Sequence, residues 1–366
     1  MQKFQNSLND TETSRLPLTG MNIPEITAVL EQISEKKIPA YRAKQIFSWI
    51  NKGVRTYGEM SNLPLSIRKT LEENTTLYGS SVYKKYSGSD ITEKLVLKLG
   101  DGALIETVLL SRQAGEKPHY TACLSTQVGC PIRCVFCKTG QIGFMRNLDA
   151  SEITEQYLFL NNTLKSKDPE NELSISNIVI MGMGEPLLNL SALRKALEIL
   201  CISGRRITIS TSGITEGIID LANNGPAAEL AVSVTSAREE LRSPLMPGLS
   251  KYRLSELKSA LSYYREKTGR RITLEMVLLG GINTGTEDAR ALVNFSKGLD
   301  VLINLIPWNP VKELSFEEKK LRQCSRNEIE KFTGMLENAG LTVTRRFRRG
   351  SGIAGACGQL GANGLL

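Results

Sequence analysis

The chain has 366 residues, enough for roughly two domains of about 150 residues each. Hydrophobic residues make up 41% and charged residues 23% of it, a balance typical of globular proteins, and no apolar run approaches the roughly 20 residues that span a bilayer. Because the polar N-terminus also lacks the apolar core of a signal peptide, we expect a cytoplasmic protein with no membrane partner.

The net charge and the counts of histidine and cysteine narrow the possible classes of protein further. Lysine and arginine total 46 against 38 acidic residues, and the net charge of +8 is compatible with a nucleic-acid partner. His119 is the one histidine, which almost excludes histidine-rich metal sites and most Ser-His or Cys-His triads. Seven cysteines in a reducing compartment indicate metal or redox chemistry before a disulfide framework.

The first eighty residues predict a tail followed by helices. Residues 1–20 are polar and show no periodic pattern, so we expect a disordered tail. Residues 21–80 predict a small domain of three helices, formed by PEITAVLEQISEKKI, RAKQIFSWINKG and LPLSIRKTLEEN. This domain carries a group of basic residues: Lys36, Lys37, Arg42, Lys44 and Lys52. The group fits a solvated surface and an RNA-binding accessory domain equally well.

From residue 81 onward the pattern changes to strands. Residues 81–115 contain the runs TEKLVLKL and ALIETVLL, which we interpret as linking strands. Over residues 116–349, strands that look buried on both faces alternate with helices about six times, which predicts parallel β/α units with right-handed crossovers. Periodicity alone fits a partial barrel and a doubly wound sheet equally; in both, functional residues lie at the carboxyl ends of the strands.

The predicted strand YTACLSTQV leads into a loop rich in cysteine. Cys130, Cys134 and Cys137 have the spacing C-x3-C-x2-C, so three thiolates can converge on one inorganic centre. Tetrahedral zinc needs a fourth protein ligand, which the distant Cys201 or Cys324 would have to supply. A [4Fe-4S] cluster with three cysteines instead keeps one iron open to an outside ligand.

The spacing, with the aromatic Phe136 before the last cysteine, resembles the signature of radical S-adenosylmethionine (SAM) enzymes. Further segments occur in a fixed order after AYRAKQIFSWINKGV: CLSTQVGCPIRCVFCKTGQIGFMRNL, VIMGMGEPLLN, RITISTSG, NLIPWNP and ACGQL. Together they resemble the RlmN/Cfr family of radical SAM RNA adenine methyltransferases over nearly the whole chain after residue 20. The resemblance implies an α/β fold, a partial (β/α)6 TIM-like radical SAM barrel with a small N-terminal helical accessory domain.

The resemblance also implies a cofactor site. Cys130, Cys134 and Cys137 would bind three irons of a [4Fe-4S] cluster, and the fourth iron would bind the amino and carboxylate groups of SAM. Glu185, in GMGEP, would offer its carboxylate to the ammonium of SAM. The remaining positions that match SAM contacts of the family are Gly184, Ser210, Ser233, Val234, Thr235 and Asn309. At Thr235 this chain departs from the family, which usually has histidine there.

Three reacting groups are implied in the same way. Cys357, in a catalytic loop of residues 350–366, would accept a methyl group from one SAM. A deoxyadenosyl radical from a second SAM would abstract hydrogen from that methyl group, and the methylene radical would add to adenine. Cys123 would then release the protein–RNA adduct by forming a transient disulfide with Cys357, and Glu106 would accept a proton. From residue type alone, Cys123 also fits a buried structural cysteine, and Glu106 the polar side of an edge strand.

The implied reaction is methylation of carbon 2 of adenosine in 23S ribosomal RNA, at the peptidyl-transferase centre, and in transfer RNA beside the anticodon. Two alternatives stay open: methylation at carbon 8, as in the antibiotic-resistance branch, and a metal-stabilised RNA-binding protein without catalysis. We expect a monomer that takes electrons from reduced flavodoxin or ferredoxin. Arginines that precede the Cys357 loop are expected to hold RNA phosphates: Arg345, Arg346, Arg348 and Arg349.

Overall fold

The structure is a computed structural model and describes residues 17–34, 38–89, 92–114, 117–167, 173–202, 204–312, 314–345 and 350–361. The three predicted N-terminal helices are present as α1 (Ile23–Ile33), α2 (Tyr41–Asn51) and α3 (Leu65–Asn74). The predicted tail extends too far, because Leu18 and Thr19 are fully buried and the Leu18 amide donates a hydrogen bond to the Thr76 carbonyl. Residues 1–16 and the basic residues Lys36 and Lys37 lie outside the described residues.

The remainder is a β/α array. Its strands are β1 (Ser81–Ser87), β2 (Glu93–Lys98), β3 (Leu104–Ala114), β4 (Lys117–Cys123), β5 (Gln127–Gly129), β6 (Phe144–Asn147), β7 (Ile175–Ile180), β8 (Ile207–Thr211), β9 (Glu229–Ser233), β10 (Ile272–Leu278), β11 (Val301–Pro307), β12 (Ser315–Phe316), β13 (Lys319–Lys320) and β14 (Thr342–Arg345). Its helices are α4 (Lys138–Ile142), α5 (Ala150–Lys165), α6 (Leu190–Ile199), α7 (Thr215–Asn224), α8 (Glu239–Leu245), α9 (Leu254–Thr268), α10 (Thr286–Ser296) and α11 (Arg326–Asn338). Several of these have no counterpart in the predicted pattern, among them β1, β6, α8, α11 and β14. In the described part of the chain, no helix has both the length and the apolar character needed to cross a membrane.

One ten-stranded sheet has the order β1-β2-β3-β4-β7-β8-β9-β10-β11-β14. Strands β1 to β4 pair antiparallel, and every pair from β4 to β14 is parallel. The seven parallel strands follow chain order, so each of the six crossovers moves one position in the same direction. A doubly wound sheet would reverse direction at its switch point. The six predicted β/α units are therefore confirmed.

The sheet is curled into an open barrel. His119 on β4 and Thr344 on β14 line the same cavity. In a flat sheet these strands would be six spacings apart, about 29 Å at ~4.8 Å per strand. Strong curling brings the two ends of the parallel array together, and the partial TIM-like barrel is confirmed.

The inner face of the barrel is accessible in part. The expectation that the parallel strands are buried on both faces is wrong for β11, whereas in β9 three successive residues, Leu230, Ala231 and Val232, are buried. In β11, Val301, Ile303 and Leu305 are buried, whereas Leu302 and Asn304 between them are only half-buried. Since successive side chains point to opposite faces, one face packs in the core and the other lines an open lumen. A closed, fully packed barrel would bury both faces.

A buried carboxylate of the barrel accepts hydrogen bonds from the segments on either side of the N-terminal helices. Glu155, in α5, accepts hydrogen bonds from the Thr19 hydroxyl at 2.5 Å, the Gly79 amide at 2.7 Å and the Ser80 amide at 2.8 Å. The Ser80 hydroxyl also donates to it. Burial outweighs these hydrogen bonds and raises the pKa of Glu155 to about 7.

Glu155 makes stability depend on pH. Its pKa is raised in the folded state, so its contribution is greatest below the unfolded value and is lost as pH rises through about 7. The free energy of unfolding should fall by roughly 3 kcal/mol between pH 4.5 and 8 on account of this group. Urea unfolding of Glu155→Gln should lack that fall, while Glu198→Gln, an exposed control on α6, should retain it. Parallel pH curves for the wild type and Glu155→Gln would contradict this.

Candidate active site

One cavity at the carboxyl ends of the parallel strands brings together most residues predicted for cluster and SAM binding. Its wall is formed by the cysteine loop, the ends of β7 to β11 and the C-terminal loop. The predicted residues that line it are Cys130, Cys134, Cys137, Gly184, Glu185, Ser210, Ser233, Asn309 and Cys357. Val234 and Thr235 are fully buried and lie outside this set, so they support the wall from behind.

The three motif cysteines are half-buried in the cavity wall. Burial raises the pKa of Cys130 to about 12, and the pKa of Cys134 rises through burial and through its two cysteine neighbours. Across the described residues, no three His, Cys, Asp or Glu side chains are grouped as a single metal ion requires. A [4Fe-4S] cluster fits, because each of its cysteines binds a different iron.

A buried arginine near the cysteines was not evident from the sequence. Arg242, in α8, is 2% exposed and donates a hydrogen bond to the Ser212 carbonyl at 2.7 Å. Its positive charge acts on Cys134 in the direction that favours the thiolate. A guanidinium here compensates part of the negative charge of a centre built on thiolates. No motif marks this residue, because its position depends on how α8 packs.

The glycines of GMGEP allow the chain to approach its own neighbouring segment. A Cβ on Gly182 would lie 2.5 Å from the Ser125 hydroxyl, and a Cβ on Gly184 would lie 2.6 Å from the Gln127 Cβ. Gly184 also has a φ of +103°, which side-chain-bearing residues rarely adopt. These glycines therefore set the packing between the end of β7 and the segment after β4.

Gly184→Ala should lower the free energy of unfolding by about 2 kcal/mol, because the methyl group meets Gln127 and the backbone is strained. Gly298→Ala is the matched control. Its φ is +80° but no atom lies within 4 Å of the added Cβ, so it reports strain without a clash. Chemical denaturation of both variants separates the two effects. An equal loss in both would show that the contact with Gln127 contributes nothing.

The Glu185 carboxylate accepts hydrogen bonds from four donors of the protein itself. They are the Leu187 amide at 3.0 Å, the Thr211 hydroxyl at 2.8 Å, and the amide and hydroxyl of Ser212 at 2.7 and 2.6 Å. Burial nevertheless raises the pKa of Glu185. We expected this carboxylate to be available to the ammonium of SAM. Its four donors show that it also fixes the ends of β7 and β8 against each other.

The polar wall of the cavity contains a second carboxylate and an unpaired oxygen. Glu275, which the sequence pattern does not mark, accepts hydrogen bonds from the Ser210 hydroxyl at 3.0 Å and the Asn304 amide at 3.1 Å. Asn309 is 5% exposed, and among the described residues its Oδ1 has no hydrogen-bond partner. A buried acceptor in the cavity wall fits a donor from a ligand, such as the adenine amino group or a ribose hydroxyl of SAM.

The Cys357 loop is held by hydrogen bonds on both sides of the cysteine. The Asn309 amide donates to the Cys357 carbonyl at 3.0 Å. On the side of the cysteine motif, the Lys138 amide donates to the Gly358 carbonyl and the Thr139 hydroxyl to the Leu360 carbonyl, each at 2.8 Å. The Cys357 side chain itself is exposed. The loop is thus anchored on both sides of an exposed cysteine.

A second cavity lies in the barrel lumen and meets the first at Cys357. Cys123, at the end of β4, lines this second cavity together with Arg112, His119 and Arg345. Cys357 lines both cavities, as do Met181, Ile306, Asn309 and Leu360. The fold therefore brings Cys123 and Cys357 to one space from positions far apart in sequence. Arg346, Arg348 and Arg349 lie outside the described residues.

Glu106 is placed differently from Cys123. It is fully buried on β3, where its carboxylate accepts hydrogen bonds from the Lys94 ammonium at 3.0 Å and the Gly361 amide at 2.7 Å. It is not the polar side of an edge strand, since β3 lies between β2 and β4. Glu106 instead connects the sheet to the loop that carries Cys357.

Comparison with known proteins agrees with this geometry. Residues 124–293 match the model of the radical SAM superfamily, and residues 16–77 match the ribosomal RNA large subunit methyltransferase N-terminal domain. A crystal structure of a radical SAM methyltransferase from Sphaerobacter thermophilus superposes with a TM-score of 0.86 at 34% identity, covering 95% of this chain and 100% of that one. Fold and site thus define a radical SAM enzyme, a class that uses a [4Fe-4S] cluster and SAM.

Relatives that match this chain along most of their length identify its family. The chain is 45% identical over 327 residues to the "Probable dual-specificity RNA methyltransferase RlmN" of Treponema pallidum strain Nichols, covering 88% of this chain and 92% of the relative. The protein of the same name from Treponema denticola is 47% identical over 351 residues, covering 94% and 95%. This chain belongs to the RlmN family of radical SAM methyltransferases.

Proposed function

We propose that this protein transfers a methyl group from SAM to carbon 2 of adenosine in RNA, through Cys357. The observation that most supports this is the position of Cys357 at the boundary of two cavities. The first holds the three motif cysteines and the polar wall. The second holds Cys123 and the cationic side chains of Arg112 and Arg345. The names of the relatives in Treponema support RNA as the substrate.

On the cofactor side, Cys130, Cys134 and Cys137 would hold the cluster, and Ser210, Ser233 and Asn309 would contact SAM. When bound, these cofactors supply a methyl group and the radical that activates it. The contribution of the chain is placement: the Asn309 amide fixes the Cys357 carbonyl, which aims the thiol between the cavities. Thr235 would support these SAM contacts from behind and not touch the cofactor itself, because the whole residue is fully buried outside the cavity lining. The same holds for Val234.

On the lumen side, the chain would receive a splayed-out adenosine, with Arg112 and Arg345 against its phosphates. After the methylene carbon on Cys357 has bonded to carbon 2, the adduct would give up its unpaired electron to a one-electron acceptor such as an oxidised iron–sulfur centre, and Glu106 would accept the proton displaced from that carbon, which restores the aromatic ring. The Cys123 thiolate would then bond to the sulfur of Cys357 as the sulfur–carbon bond breaks. The electron pair of that bond passes to the methylene carbon, which gains a proton and becomes the methyl group. A reductant outside the chain would restore the two thiols.

The proposal also covers the RNA substrates, the electron donor and the roles of the individual segments of the chain. The substrates would be 23S ribosomal RNA and transfer RNA, and the electron donor a reduced flavodoxin or ferredoxin. The helical domain of residues 21–80 would bind RNA as an accessory domain, the strands of residues 81–115 would link it to the radical SAM core of residues 116–349, and residues 350–366 would form the catalytic loop. We propose a cytoplasmic monomer.

Mass spectrometry of nucleosides tests the reaction. The cluster-loaded protein is incubated anaerobically with SAM, reductant and either ribosomal or transfer RNA, and the RNA is digested. We expect 2-methyladenosine from both RNAs. Formation of 8-methyladenosine would replace the proposed regiochemistry with that of the antibiotic-resistance branch. Absence of any methylated adenosine would favour the non-catalytic RNA-binding alternative.

A further inference from the structure

A buried ion pair reaches both ends of the segment that carries Cys357. Lys94 on β2 and Glu106 on β3 are both fully buried, with the Lys94 Nζ 3.0 Å from the Glu106 Oε1. The Lys94 Nζ also donates to the Ala354 carbonyl at 3.1 Å. The second Glu106 oxygen accepts from the Gly361 amide at 2.7 Å. The pair thus contacts the loop three residues before Cys357 and four residues after it.

The pair is not needed to join its own strands. β2 and β3 already form a continuous antiparallel ladder from Glu93↔Leu109 to Lys98↔Leu104. Burying two charges costs free energy that their attraction alone rarely exceeds, and apolar pairs of similar volume are often at least as stable. What apolar side chains could not provide is a donor for the Ala354 carbonyl and an acceptor for the Gly361 amide. The charged pair therefore serves the loop.

Lys94 is also restrained from a third side. Its Nζ lies 5.0 Å from the ring centroid of Tyr86 on β1, a cation–π distance. The ammonium is thereby fixed between β1, β3 and the loop. A side chain with this many fixed contacts can hold the Ala354 carbonyl in one position.

We propose that Lys94 and Glu106 form a clamp that holds the Cys357 loop at the boundary of the two cavities, with Lys94 as a positioning residue for both Glu106 and Cys357. The link to methyl transfer rests on the function proposed above; the clamp itself does not. Because Glu106 is bonded to the Gly361 amide in this closed arrangement, loosening of the Gly361 end would free one carboxylate oxygen for proton transfer. Lys94 would keep Glu106 in place meanwhile.

Hydrogen–deuterium exchange of the full-length protein tests the clamp without using activity. In Lys94→Met, exchange across residues 350–361 should accelerate by about fivefold or more, since the loop loses a buried hydrogen bond and its partner carboxylate is left unpaired. Exchange in β2 and β3 should stay within about twofold of the wild type, because their ladder is intact. Lys85→Met is the matched control: Lys85 is a half-exposed lysine on β1 that pairs with Glu93 at 3.2 Å, and its loss should leave the loop unchanged.

A double variant keeps the test decisive if the single variant folds poorly. Lys94→Met combined with Glu106→Leu leaves no unpaired buried charge, yet both loop contacts are gone. It should show the same accelerated exchange in the loop. Unchanged exchange in the loop, or acceleration confined to β2 and β3, would overturn the clamp.

Methylation of Cys357 then distinguishes a failure of the clamp proposal from a failure of the proposed function. The fraction of Cys357 that carries a methyl group is measured by peptide mass spectrometry after incubation with SAM, and Lys94→Met should reduce the rate about tenfold relative to Lys85→Met. Accelerated loop exchange with normal Cys357 methylation would refute the positioning role. A wild-type protein in which Cys357 is never methylated would refute the proposed function and leave the exchange result to decide the clamp.

Discussion

Cys357→Ala should lose RNA methylation by on the order of a thousandfold or more and form no covalent protein–RNA species, because among the described residues no other thiol lines both cavities. Cys123→Ala should instead accumulate a covalent species in which RNA stays attached to Cys357. The reason is geometric. Cys123 lines the second cavity, in the barrel lumen, but not the first, which the three motif cysteines line. It can therefore reach the adduct without receiving the methyl group. Denaturing gel electrophoresis of labelled RNA separates the two outcomes.

Cys201→Ala is the control for thiol removal. Cys201 is exposed and lines neither cavity, so its loss should leave methylation and the absence of a trapped species unchanged. If Cys357→Ala and Cys123→Ala behave alike, the division of labour between the two thiols is wrong.

Cys134→Ala should abolish the iron–sulfur centre. Burial and the charges of the other two motif cysteines raise the pKa of its thiol, so all three sulfurs face one site. Two remaining thiolates provide too few protein ligands for the cluster, so bound iron and sulfide should fall by about tenfold or more after anaerobic reconstitution, along with the brown colour. Iron and sulfide assays with visible absorption spectra measure this directly.

The matched control for the cluster is Cys324→Ala. Cys324 is half-buried like the motif cysteines, but it lies outside the cavity and should retain full iron content. Zinc in place of iron in the wild type, lost equally in Cys134→Ala and Cys324→Ala, would restore the zinc alternative with a distant fourth ligand.

The sequence predicts the order of the fold better than its curvature. Alternating apolar strands and amphipathic helices correctly indicate six parallel units, because each unit must bury one apolar face. Whether such a sheet curls depends on how its first and last strands approach each other. That is a long-range property. In β11, apolar residues occupy both faces of the strand, so the sequence does not show that Leu302 faces a lumen. The element β14 was missed because its four residues, TVTR, carry almost no apolar signal.

For the site, motifs locate residues but not their partners. The cysteine spacing places three thiols in one loop, and the structure brings Cys123 and Cys357 to one cavity, as the resemblance implied. Three of the four donors to Glu185 come from Thr211 and Ser212 at the end of β8, and no local pattern reveals that pairing. Lys94, Arg242 and Glu275 were missed for the same reason. Each is an ordinary charged residue in a strand or helix, and only the fold shows that it is buried.

Labelled SAM tests the central claim, that the methyl group passes through Cys357 before it reaches adenine. RNA is methylated with SAM that carries a fully deuterated methyl group, and the mass of the methyladenosine is measured by mass spectrometry. Activation of the methyl group on Cys357 removes one deuterium, so the product should contain two deuterium atoms in its methyl group. A product that retains all three would show direct transfer from SAM to adenine and would contradict the role assigned to Cys357.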